Sequence, residues 1–195
     1  MTSGIRWRIF VLQIGLIGIL GFVSGFAFWA GNFASGQVTT QLSEQQITFP
    51  ASNSPAITAL PAADAAAMSV YAGQTMTTGA QAETYADHFI AVHLQEIGGG
   101  KTYAQFPATG LTPAQATQKA ELFQGETLRG LLLNAYGWSQ VGTFATYAGV
   151  GLAVAAFAVM LAFLFEVAMW RRSTTKVVSV DLQKAGGYQT HVTAA

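Results

Sequence analysis

Two long uncharged stretches constrain this chain more than any other feature. Ile9 to Ala30 contains no Asp, Glu, Lys, Arg or His, and neither does Ser139 to Phe165. A helix needs roughly 20 mostly apolar residues to cross a hydrocarbon core about 30 Å thick, and both stretches are long enough. The expected architecture is an all-α membrane protein, with two transmembrane helices flanking a small, mostly helical extracytoplasmic domain.

Charge placement sets the expected orientation. Only 9% of the 195 residues are charged, against about a quarter in an ordinary soluble domain. The net charge of zero hides a polarity. Between Gly31 and Gly137, Glu44, Asp64, Glu83, Asp87, Glu96, Glu121 and Glu126 outnumber Lys101, Lys119 and Arg129. The flanks carry Arg6, Arg8, Arg171, Arg172, Lys176 and Lys184 against Glu166 and Asp181. Basic residues near span ends favour the cytoplasmic side. The expectation is a multi-pass plasma-membrane protein with both termini cytoplasmic and an acidic middle segment outside. An acidic domain lacks the basic face that nucleic acid requires, so no nucleic-acid partner is expected. The absence of cysteine excludes disulfides, thiolate metal sites and Cys nucleophiles.

Along the chain, residues 1–8 form a cytoplasmic N-terminus and 9–30 the first span, with Trp7 and Trp29 as interface aromatics. The apolar run exceeds a typical signal-peptide core, and Phe28-Trp29-Ala30 offers no small-x-small cleavage site, so a retained anchor is expected. The extracytoplasmic domain covers 31–137. Within it, 31–77 is rich in Ala, Ser, Thr, Gln and Pro and reads as irregular.

A helix is predicted over 80–97, because Thr78 and Gln81 have capping-box spacing and Gly98-Gly99-Gly100 stops it. Helices over 113–137 begin at a Thr112-Pro113-Ala114-Gln115 cap and break or kink near Gly125. The second span covers 138–170, between Trp138 and Trp170. The segment 171–195 reads as a disordered cytoplasmic tail.

Four residue groups bear on function. Gly15, Gly18, Gly21 and Gly25 recur at three- or four-residue spacing in the first span, and Gly142, Thr146, Gly149 and Ala153 do so in the second. Such glycines let helix backbones approach closely in lipid. Either the two spans pack on each other, or a face docks another subunit or a second copy. His93 and Glu96 fall on the apolar arc of the 80–97 helix when it is drawn as an ideal α-helix, with Tyr85, Phe89 and Val92.

A carboxylate there needs a partner. Lys101 and Arg129 are the candidates, giving an outer polar cluster of His93, Glu96, Lys101 and Arg129. The sharper alternative is a metal or small-ligand site on His93 and Glu96. His88 points about 140° away from His93 and cannot share its ion. Gly99-Gly100-Lys101-Thr102 ends like a phosphate loop, but Gln95 stands where the first glycine is required, so helix capping is the better account. Glu166 near the inner end of the second span is expected to pair with Arg171 or Arg172.

The runs Thr78-Gly79-Ala80-Gln81-Ala82, Tyr85-Ala86-Asp87, His93-Leu94, Gly99-Gly100-Lys101-Thr102-Tyr103-Ala104 and Leu128-Arg129-Gly130-Leu131-Leu132-Leu133-Asn134-Ala135-Tyr136 resemble a group of small actinobacterial two-span membrane proteins. They cover about a third of the chain. The resemblance implies the same topology and a packing or docking role for Lys101, Tyr103, Arg129 and Asn134. Some members bear an automatic label of aromatic ring-opening dioxygenase. This sequence gives it no support, because that iron chemistry needs two histidines and a carboxylate facing one ion.

The expected function is non-enzymatic: an accessory or assembly subunit of a larger membrane complex, such as a respiratory one. No cofactor is expected, and the expected partners are lipid and other integral subunits or a second copy. The alternative is an extracytoplasmic sensor that binds a metal or small ligand.

Overall fold

The computed structural model describes residues 3–187, with side chains described for 4–172. Most of it is helical. The order is α1 (Ser3–Glu44), α2 (Pro55–Thr58), α3 (Ala62–Ser69), α4 (Gly79–Tyr85), a π turn (Ala86–Ile90), α5 (Ala91–Gly98), a 3-10 turn (Tyr103–Gln105) and α6 (Pro113–Gly187). No strand occurs among the described residues. One antiparallel bridge joins Thr48 to Thr75, flanked by Phe49 N–H donating to Gln74 C=O at 2.9 Å and Met76 N–H to Ile47 C=O at 2.8 Å.

The described residues divide into two units: 3–26 with 148–187, and Ala27–Tyr147. α1 and α6 contribute to both. Each contains a segment long and apolar enough to cross a membrane, Gly4–Glu44 and Pro113–Arg172. Only 6% of either segment's most apolar window is buried inside the chain, so neither is the enclosed core helix of a globule.

In the first unit, α1 turns Arg6, Phe10, Gln13, Ile17, Leu20 and Ser24 inward, three and four residues apart in alternation. α6 answers with Gly149, Leu152, Ala156, Val159, Phe163 and Glu166. This 3.5-residue period is the pairing seam of two supercoiled helices. Phe10 meets Phe163 edge-on at 5.5 Å, and Ser24 Oγ donates to Gly149 C=O at 2.8 Å.

In the second unit the seam closes on small residues. A Cβ placed on Gly31 would stand 2.5 Å from Thr146 Oγ1 and 2.8 Å from Gly142 O. One on Gly142 would stand 2.7 Å from Ser35 Oγ. The backbones meet here because no side chain lies between them. The Thr146 hydroxyl bonds within its own helix: Oγ1 donates to Gly142 C=O at 2.9 Å.

The core of this unit joins Val38 and Leu42 of α1 and Leu122 and Leu132 of α6 to Phe49, Ile57, Met68, Met76, Ile90 and Leu94. The small helices thus assemble on the ends of the long ones. At the start of α4, Thr78 Oγ1 accepts from Gln81 N–H at 3.3 Å, while Gln81 Oε1 accepts from Thr78 N–H at 3.0 Å. Buried Gln81 also donates to Gln74 Oε1 at 3.1 Å. Gly99, at φ 58°, ends α5 in the left-handed region.

Three sequence expectations are corrected. The segment 31–77 is not irregular. α1 continues to Glu44, and α2 and α3 follow. Asn, Ser, Thr and Gly between 31 and 40 are poor helix formers, but burial of Val38 and Leu42 overrides propensity.

The second correction concerns Gly125, where α6 runs through without a break. A Cβ there would run into the Leu94 side chain, so the glycine admits α5 to close approach without ending α6. The third concerns the tail after Arg171. The α6 backbone continues to Gly187, since extending an existing helix costs far less than starting one. Residues 188–195, His191 among them, lie outside the described residues.

Gly31→Val should lower unfolding stability by about 1–3 kcal/mol through overpacking, whereas Gly36→Val, with open space around its Cβ, should not. Thermal or denaturant titration of the two purified variants separates these outcomes.

Candidate functional site

A groove of about 530 Å³ runs between α1 and α6 in the unit Ala27–Tyr147. Val38, Leu42 and Leu132 line it and are almost wholly buried. Phe33, Leu131 and Trp138 also line it yet are more than half exposed, at 56%, 65% and 56%. Polarity enters through Gln37, Gln41, Gln45 and Asn134. Gln37 and Gln41 follow Phe33 at four-residue steps on α1, and Gln45 continues the spacing one residue past the helix end. No ionisable side chain lines the groove. At one end Phe33 stacks on Trp29, with centroids 5.7 Å apart and planes at 17°.

The α4–π–α5 segment carries the unit's aromatic and charged groups. Tyr85 contacts Phe49 at 5.3 Å and Phe89 at 4.8 Å, and Phe89 in turn contacts the His93 ring at 4.4 Å. Burial pushes the Tyr85 phenol above its ordinary range, because desolvation disfavours the phenolate.

The expected polar cluster of His93, Glu96, Lys101 and Arg129 does not assemble. His93 Nδ1 lies 2.7 Å from Phe89 O, as an intrahelical bond. Glu96 is exposed. Lys101 lies over the Phe106 ring at 5.9 Å. Arg129 reaches Asp87 at 2.7 Å and Glu126 at 3.8 Å.

The cause is the π turn, whose wider winding shows in the Ala91 N–H reaching back five residues to Ala86 C=O. It keeps Ala82, Ala86, Ile90, Leu94 and Gly98, spaced by fours, on the buried side. An ideal α-helix would drift off that line and carry Glu96 inward. Asp87 and His88 are the residues of this segment that find charged partners. Asp87 pairs with Arg129, and His88 Nδ1 lies 2.7 Å from Asp64 Oδ1, tying the π turn to α3. No group of three His, Asp or Glu side chains able to hold a metal occurs among the described residues.

The span glycines divide. Gly142 and Gly149 belong to the α1–α6 seam, but the sequence missed their α1 partners Ser24, Gly31 and Ser35. Gly15, Gly18, Gly21 and Gly25 have open space wherever a Cβ would stand. They lie off the seam row and take no part in that pairing. Glu166 shares a recess of about 270 Å³ with Arg6, Phe10 and Trp170.

The sequence reading also missed the groove. Its signal was present in Gln37, Gln41 and Gln45 at helical spacing, beside the already apolar Leu128, Leu131 and Leu132. Treating 31–77 as irregular hid the row.

Above about pH 10 the unfolded chain loses its tyrosine protons first, so native Tyr85 holds its proton longer and stability falls as pH rises toward its raised value. Tyr85→Phe should make that alkaline decline shallower and leave stability at neutral pH nearly unchanged. Denaturant midpoints measured from pH 8 to 11 for both proteins test this.

The chain matches no protein-family model, no curated protein and no solved structure.

Proposed function

We propose that this protein is a non-enzymatic integral membrane accessory or assembly subunit of a larger membrane complex, of which a respiratory complex is one example. In this reading α1 and α6 each cross the plasma membrane once, both chain ends are cytoplasmic, and residues 31–137 form the extracytoplasmic domain. The proposed kinship with small actinobacterial two-span membrane proteins belongs to the same reading.

One observation carries it: the row of Gly15, Gly18, Gly21 and Gly25 stands open. The same helix pairs with α6 through a different row, so the glycines are not used up by the chain's own fold. In lipid no hydrophobic force joins helices, and close backbone approach at small residues is the main source of association. A helix of another integral subunit fits this face, and a second copy of the chain is the competing occupant. Basic Arg6, Arg8, Arg171 and Arg172 near the span ends support the orientation.

The sensor alternative gains no support from His93 and Glu96. The histidine is engaged with its own helix, and the carboxylate faces outward.

Gly18→Leu/Gly21→Leu, purified from its native membrane in mild detergent, should lose co-purifying subunits at least tenfold while keeping wild-type helicity. Unchanged co-purification would remove the docking reading. Loss of a dimer alone, with no other subunit present, would assign the face to self-association.

A further inference from the structure

We propose that the groove between α1 and α6 binds a single-chain lipid with an uncharged hydroxyl- or carbonyl-bearing head, such as a monoacylglycerol. The inference rests on the membrane reading above and assigns a ligand to a surface that reading leaves unexplained.

Shape comes first. From Phe33 to Leu42 the α1 wall rises nine residues, about 14 Å at ~1.5 Å each, and Gln45 follows just past the helix end. A groove of that length takes an extended hydrocarbon chain. The volume also falls within the roughly 300–1,000 Å³ of small-ligand sites.

Chemistry narrows the head group. Val38, Leu42 and Leu132 give the chain an apolar bed. Gln41, Gln45 and Asn134 both donate and accept through their amides, and no side-chain hydrogen bond engages them among the described residues. They match a hydroxyl or ester carbonyl. A phosphate would shed hydration with no cation in the lining to compensate.

Access follows from Trp138 and from Phe33 on Trp29, aromatics of the kind that sit at the membrane interface. A chain entering from the bilayer at that end reaches the amides without crossing water.

The test uses the full-length protein in phosphatidylcholine nanodiscs with a diazirine-bearing monoacylglycerol, and a diazirine-bearing phosphatidylglycerol in parallel. Cross-links are mapped by mass spectrometry. The monoacylglycerol should label 33–47 and 128–138 preferentially, and excess unlabelled monoolein should compete. Leu131→Glu, at an exposed position, should cut labelling at least tenfold, and Gln41→Leu several-fold, with unchanged thermal unfolding.

Labelling spread evenly along α1, equal labelling by both probes, or indifference to Leu131→Glu would overturn the proposal while leaving the membrane reading intact. Failure of the protein to enter nanodiscs at all would overturn both. A photo-crosslinker at position 131 that captures an apolar protein segment, and a lipid probe that cannot compete with it, would show that the groove belongs to a partner.

Discussion

An apolar helix surface that its own chain leaves uncovered must be covered by something else, and this constraint organises the protein. Leu12, Phe22, Phe144 and Phe165 are each about two-thirds exposed or more, at 71%, 77%, 66% and 68%. Water would charge roughly 25 cal/mol for each Å² of such surface. Side chains of this size, repeated along two long helices, exceed the net stability of a typical domain, which is only about 5–15 kcal/mol. The proposed solvent is therefore lipid, with the glycine row left for a neighbouring helix.

The way α1 and α6 meet follows from the same constraint. The seam combines apolar side chains, Phe10 against Phe163 among them, with close backbone approach at small residues. The seam uses Ser24 on Gly149, and Gly31 with Ser35 against Gly142 and Thr146, where backbones touch and hydroxyls bond to carbonyls. Beyond that contact the two helices change role. Val38, Leu42, Leu122 and Leu132 become core residues on which α2 to α5 assemble. Ser139 marks the changeover: a Cβ on Gly79 would strike its side chain, so α4 starts directly against α6.

What was legible in the sequence, and what was not, follows physical lines. Uncharged runs and capping boxes are local signals. Ile9–Ala30, Thr78 with Gln81 and Thr112 with Gln115 can be read from the residues alone. Asn32, Ser35, Thr39 and Thr40 could not, because their local preference opposes the helix that tertiary burial of Val38 and Leu42 imposes. Gly125 carried the wrong sign: read alone it breaks a helix, but with Leu94 against it the same missing Cβ is what lets the helix pass. The His93–Glu96 site failed for another reason. An ideal 3.6-residue projection does not foresee a π turn, and one wide turn moves Glu96 from the buried side to the surface and gives Asp87 and His88 the partners. The groove needs two helices far apart in sequence, so only half of it, the spacing of Gln37, Gln41 and Gln45, was ever visible.

The central claim, that lipid surrounds α1 and α6 and the acidic middle segment lies outside, meets its most direct test in site-directed labelling. The chain has no cysteine, so each introduced thiol is unique. Ala108→Cys and Thr174→Cys, expressed in spheroplasts, are treated with a membrane-impermeant maleimide before and after lysis. The account predicts that Cys at 108 is labelled in intact spheroplasts and Cys at 174 only once they are broken. Labelling of 174 but not 108 in intact spheroplasts would invert the orientation. Release of either variant into the soluble fraction by carbonate, without detergent, would contradict the account itself.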